Sequence, residues 1–189
     1  MSTATTTLRS ADLGQLRDVL MTQRAQRHDT VVPAALMHAE GGRVWVDGDR
    51  LEVLNDDGVT VVDSPRYDLT DVAIEGFSNY LNIPRAYLRR LHTEHVELFD
   101  QNVNGWLQHD TKMGGKYLVR LLRDGETGEG VVRAILTNGF RIIENLDVLV
   151  AALQGVQEAG ANIQIRRCDL TDRRMYVALS APDLSLIHI

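Results

Sequence analysis

At 189 residues, with 44% hydrophobic and 24% charged residues, the chain has enough apolar content for one domain with a proper core. No apolar run approaches the roughly 20 residues a membrane helix requires, and the start lacks the basic flank and apolar stretch of a secretory signal. A single cysteine, Cys168, excludes an internal disulfide, and together these features point to the cytoplasm. The formal charge of −6 is unevenly distributed: residues 1 to 82 hold 7 Lys/Arg against 13 Asp/Glu, whereas the two signs balance over the remainder. That excludes a uniformly basic nucleic-acid binder but leaves room for a local basic face in the second half.

In chain order, residues 1 to 10 are rich in Ser and Thr and are expected to be mobile. From Ala11 to about Arg27, Leu13, Leu16, Val19 and Leu20 recur at three- and four-residue spacings, which predicts an amphipathic helix. Residues 1 to 30 are therefore read as a mobile start plus that helix. Short alternating runs follow at Val31-Val32, Arg43 to Val46, Leu51 to Leu54 and Val59 to Val62. Gly41-Gly42, Asp47-Gly48-Asp49 and Asn55 to Gly58 separate them, which predicts a small β-meander. The aspartates of these turns lack the spacing of a calcium loop closed by a distant Glu, so no metal site is expected there.

A helix is predicted from about Thr70 to Leu81, with Thr70 or Asp68 as its cap and Leu69, Val72, Ala73, Phe77, Tyr80 and Leu81 on one face. Asn82-Ile83 breaks it and Pro84 starts a second, with Tyr87, Leu88, Leu91 and Leu98 on its stripe and Arg85, Arg89 and Arg90 near its beginning. In outline this pair resembles a DNA-reading helix-turn-helix, although packed helix pairs are common structural units. A third helical pattern places Phe99, Val103, Trp106 and Leu107 inward and ends at Gly114-Gly115. His92, His95 and His109 have no further ligand at metal-binding spacing.

Lys116 to Arg123 and Val131 to Thr137 are the most regular strand patterns, joined by a polar, glycine-bearing link, and predict a hairpin. Arg120 and Arg133 each interrupt an apolar run. If the register puts them on one face, they form a basic spot with Arg141 nearby, suited to phosphate or carboxylate through forked hydrogen bonds. Asn145 is expected to cap a helix from Leu146 to about Ala159 with Leu146, Leu149, Val150, Leu153 and Val156 on its buried stripe. A second hairpin follows over Asn162 to Cys168 and Arg173 to Leu179, with two arginine pairs at its turn end. Cys168 has no His at catalytic spacing and reads as a small strand residue. The expected fold class is α+β: an N-terminal helix and small meander, central helices, and antiparallel hairpins packed with a further helix. Residues 31 to 183 are expected to form a single domain.

With these residues in view, the chain resembles the phage/plasmid-like protein family, domain of unknown function 932. The likeness rests on Tyr80-Leu81-Asn82-Ile83-Pro84-Arg85-Ala86-Tyr87-Leu88, Asn102-Val103-Asn104-Gly105-Trp106-Leu107, Leu118-Val119-Arg120, Val132 to Thr137 with Phe140-Arg141, and Asn145-Leu146-Asp147. It covers roughly residues 31 to 180. Thr137-Asn138-Gly139-Phe140 stands where the family pattern favours Ser-Asp-Arg-Tyr. The resemblance implies a mobile-element origin and no established activity. It also implies a pattern that continues past residue 189, and Leu184-Ser185-Leu186-Ile187-His188-Ile189 is similar to the translation of a transposase mosaic-end adaptor, so residues 184 to 189 are expected to be non-native.

No cofactor cradle, catalytic triad or metal-ligand spacing rises above background, and no cofactor is expected. The leading expectation is an accessory protein of a phage or plasmid, active in replication or recombination. It would contact nucleic acid, single-stranded DNA first, or a phage or host replication protein, through Arg120, Arg133, Arg141, Arg85 and Arg89. One alternative is an enzyme on a phosphorylated or nucleotide substrate, with Arg120 and Arg133 clamping the anion and Asp147, Glu144 or His109 as acid/base groups. Another is a protein-interaction module whose N-terminal helix docks on a partner.

Overall fold

The computed structural model describes residues 6–56, 58–112, 114–160 and 162–181. The expected mobility of residues 1–5 and the adaptor reading of residues 184–189 lie outside them. In chain order come β1 (Leu8–Ala11), α1 (Leu13–Gln26), β2 (Arg27–Pro33), a single 3-10 turn (Ala34–Leu36), β3 (Met37–Glu40), β4 (Arg43–Val46), β5 (Arg50–Asn55), β6 (Gly58–Asp63) and β7 (Asp68–Leu69). They are followed by α2 (Asp71–Tyr80), α3 (Arg85–Glu94), α4 (Val96–Lys112), β8 (Lys116–Arg123), β9 (Gly130–Thr137), α5 (Asn145–Glu158), β10 (Gln164–Leu170) and β11 (Met175–Ser180). The class is α+β, as the mixture of three- and two-residue periodicities predicted. None of the helices among the described residues is long and apolar enough to cross a membrane.

These elements divide into two compact units. Of the described residues, one unit spans 26–140 and the other joins 6–25 with those between 141 and 181. That partition differs from a single domain over residues 31–183, because the N-terminal helix shares its core with the C-terminal hairpin.

The first unit is built on a four-stranded sheet in the order β2-β8-β9-β7. Tyr117, Val119 and Leu121 of β8 and Val132 and Ile135 of β9 bury one face against Ala73, Ile74 and Phe77 of α2, Leu88 and Leu91 of α3, and Phe99, Val103 and Leu107 of α4. The Thr70 hydroxyl ties α2 to the sheet: it accepts the Ala73 N–H at 3.1 Å as N-cap and donates to the Arg133 carbonyl at 2.7 Å. Gly76 lets α2 approach closely, since a Cβ there would fall within contact distance of the Ile135 carbonyl oxygen. Asn82, at φ 54°, turns the chain between α2 and α3 in the left-handed region that Asn tolerates. The β3–β4 hairpin is held on α4 by Asn104, whose amide accepts the Ala39 N–H and donates to the Ala39 carbonyl, both at 2.8 Å.

Several expectations are corrected here. The predicted meander is two separate two-stranded pairs, β3–β4 and β5–β6, and Val31-Val32 belongs to β2, which pairs with β8 instead. A short apolar run carries its own period but no information about a partner far along the chain. Tyr87, Leu98 and Trp106, expected on buried stripes, are exposed. Trp106 precedes the fully covered Leu107, and one residue of helix turns a side chain by about 100° out of the core.

The second unit is a three-stranded antiparallel sheet, β1-β10-β11, with α1 and α5 on one face. Ala11, Cys168 and Leu170 meet Leu16 and Leu20 of α1 and Leu149 of α5 in its core, while Leu13, Val19 and Leu153 close the margins. Helix α1 starts with a reciprocal cap: Gln15 N–H donates to Asp12 Oδ1 at 2.8 Å, and Asp12 N–H donates to Gln15 Oε1 at 3.1 Å. Arg24 donates to Asp147 at 2.9 Å, joining α1 to α5. Leu8 to Ser10 were expected to be mobile, and Ala11 to begin the helix, but all four residues form β1, which pairs with β10. Asn145 is the first residue of α5 rather than its cap; Glu144 stands at the N-cap and makes no side-chain cap bond. Val150, expected on the buried stripe, is exposed.

Candidate nucleic-acid interface

Arg120 lies directly opposite Asp29 in the β2–β8 ladder, and its Nε reaches Asp29 Oδ1 at 3.0 Å. Their side chains are only 16% and 15% exposed, and Arg27 approaches the other carboxylate oxygen at 3.5 Å. The guanidinium expected to meet an outside anion is thus neutralised inside the sheet. Arg133 does not stand opposite it: the register pairs Arg120 with Ala134 and Leu121 with Val132, so Arg133 is the extra residue of a bulge. On the helix pair, Arg85 lies 3.1 Å from Glu75 and 3.5 Å from Asp71, Arg89 is bonded to Asp71, and Arg90 donates to Glu94 at 2.8 Å. A recognition helix would present these cations to phosphate; here α2 and α3 use them on their own carboxylates. Arg141 is exposed and belongs to the second unit, whereas Arg120 and Arg133 belong to the first.

The acid/base candidates are likewise engaged locally. Asp147 accepts from Arg24, and the His109 ring stands edge-on to Trp106 at 5.8 Å. His92 bonds the Gly42 carbonyl at 2.9 Å and packs edge-on against Phe99. Cys168 is fully buried, and burial pushes its thiol upward.

One polar cluster had no signal in the sequence. Arg123 donates one nitrogen to both oxygens of Asp49 at 2.6 Å, with side chains 10% and 12% exposed. The Tyr67 hydroxyl donates to Asp49 Oδ2 at 2.8 Å, and the Arg123 guanidinium lies 5.5 Å from the Tyr67 ring centre. Burial and this hydrogen bond raise the Tyr67 phenol well above its ordinary range. This set fastens the β4–β5 turn to the β8–β9 hairpin, with Arg123 Nε buried and without a hydrogen-bond partner. Asp49 looked like an ordinary turn residue, and nothing in the spacing links it to position 123.

The outer face of the β1-β10-β11 sheet is different. Alternation along β10 sends Cys168 and Leu170 into the core and Arg167 and Asp169 to the other side, opposite Ala178 and Tyr176 of β11. A bulge between Leu8 and Ala11, with Ser10 at φ 52°, brings Arg9 and Ser10 beside them. An open groove of about 830 Å³ results, lined by Arg9, Arg166, Arg167 and Tyr176 among others. Tyr176 is 54% exposed, and its phenol oxygen accepts from Arg174 Nη1 at 3.1 Å. Arg166 donates to the Ser180 hydroxyl at 2.8 Å, a neutral partner that leaves its charge uncompensated by that bond.

Among the described residues, Asp169 is the one carboxylate in the groove lining. It accepts the Ser10 N–H at 2.7 Å and the Arg167 Nε at 2.7 Å; the Ser10 bond first, then the Arg167 guanidinium, hold its carboxyl below the usual range. Its charge acts as an internal brace between β1 and β10. Cations therefore outnumber acids on a surface that carries an exposed aromatic ring. The two arginine pairs were legible in the sequence, but the arrival of Arg9 from the N-terminal strand was not. No protein-family model matches the chain, nor does any curated protein or solved structure significantly resemble it.

Proposed function

We propose that this protein is an accessory factor of a phage or plasmid that binds nucleic acid, and that it does so through the outer face of the β1-β10-β11 sheet. The supporting observation is the groove lined by Arg9, Arg166, Arg167 and Tyr176, in which Asp169, internally engaged by Arg167, is the one carboxylate among the described lining residues. Guanidinium groups on an open strand surface suit phosphate oxygens, which they bind by paired, charge-assisted hydrogen bonds. The sequence likeness to the phage/plasmid-like family supports the mobile-element origin and carries no activity of its own. Arg120, Arg85 and Arg89 are not part of this surface in the proposal, because their charge is matched by Asp29, Asp71 and Glu75.

The test is fluorescence anisotropy of labelled oligonucleotides with the full chain. Binding at low salt that weakens steeply as salt rises, and that is lost in Arg9→Ala plus Arg166→Ala, supports the reading. Absence of binding at low salt, or binding unaltered in that double variant, rejects it.

A further inference from the structure

Resting on that reading, we infer that the face takes an unpaired strand, with one base stacked on the Tyr176 ring and the neighbouring phosphates held by Arg9 and Arg166. Tyr176 projects from β11 directly opposite Asp169, on the side away from α1 and α5, so its ring face is open to solvent. The Arg174 hydrogen bond to its hydroxyl restrains the ring without covering it, which reduces the ordering cost of stacking. On the same surface, Arg166 is anchored by the neutral Ser180 hydroxyl, so its guanidinium is already positioned when a ligand arrives, whereas Arg167 is paired with Asp169.

Duplex DNA does not fit this arrangement. Its base faces are covered by neighbouring pairs, and reading its edges requires an element that enters a groove. A sheet face with a ring standing on it presents no such element, whereas an unpaired base offers the ring a flat partner and its backbone follows the cations. Among the described residues, the groove lining contains no Asn or Gln, the amides that pair with adenine edges. Recognition is therefore tolerant of sequence, fixed by stacking and charge.

The experiment uses the full chain and three probes: fluorescein-labelled oligo(dT) of about twelve nucleotides, a duplex of equal length, and heparin as a plain polyanion. Wild type is expected to bind the single strand at least tenfold more tightly than the duplex. Stacking of one base corresponds to roughly 1–3 kcal/mol, so Tyr176→Ala is expected to weaken single-strand binding about 5- to 160-fold while heparin binding stays within twofold. Tyr176→Phe, which keeps the ring, is expected to stay within about threefold of wild type. Because Tyr176 is exposed, matching thermal midpoints of the three proteins establish that folding is unaffected. Equal affinity for duplex and single strand, or Tyr176→Ala binding like wild type, overturns the stacking site while leaving nucleic-acid binding intact. Failure of all three probes to bind overturns the underlying reading instead.

Discussion

Asp29 and Arg120 face each other across neighbouring strands, Oδ1 and Nε 3.0 Å apart, each side chain more than four-fifths covered. This pair decides what Arg120 is for: a guanidinium held so closely by a strand partner is a component of the sheet. Breaking one side of such a pair costs more than the pair contributes, because a charge is left in a poorly solvated place. Asp29→Ala is expected to destabilise the protein by about 2–4 kcal/mol, whereas the double change Asp29→Leu with Arg120→Met is expected to cost less than the single one. Urea denaturation of wild type and these two variants checks this. Oligonucleotide affinity of the folded Arg120→Met protein is expected to match wild type.

Two phenols give the molecule an alkaline limit. Tyr67 donates to Asp49 and Tyr117 to Asp110, and burial followed by these bonds raises both above 10.0. In the unfolded chain both ionise near pH 10, so above that pH the native state holds more protons than the unfolded one. Stability is then fully present below about pH 10 and falls as pH rises toward the raised folded values. Urea unfolding from about pH 9 to pH 11 is expected to show this decline, and Tyr67→Phe or Tyr117→Phe is expected to lessen its slope. An unchanged slope in both variants would contradict it.

Helical glycines at two positions are expected to respond oppositely to alanine. At Gly76 an added methyl meets the Ile135 backbone, so Gly76→Ala is expected to lose about 2 kcal/mol or more as α2 is pushed from the sheet. A methyl added at Gly105 of α4 has nothing within 4 Å, and Gly105→Ala is expected to gain about 0.5–1 kcal/mol from helix propensity. Thermal midpoints of the two variants test both signs.

What the sequence made legible were features carried by local pattern. The β8–β9 hairpin stood out because two long apolar runs flank a glycine-bearing link, and α1 because Leu13, Leu16, Val19 and Leu20 share a helical face. Long-range pairing was not legible. Asp29 sits in a short polar stretch and Arg120 lies 91 residues away, so the neutralisation of Arg120 depends on a register no local signal encodes. The same holds for Asp49 with Arg123, 74 residues apart. At the candidate interface, Arg166-Arg167 and Arg173-Arg174 were visible as pairs beside a turn. Their outward face became definable only with the alternation of Cys168 and Leu170 into the core and the docking of β1 alongside β10.

Photo-crosslinking reports the location of contact most directly. A single strand carrying 4-thiothymidine would be irradiated with the full chain, and the adducts located by peptide mass spectrometry. Adducts on the peptide containing Tyr176, with none on the segment from Lys116 to Thr137, are the expected result. Adducts concentrated on the β8–β9 hairpin or on α3, with the Tyr176 peptide unmodified, would contradict the assignment of the β1-β10-β11 face.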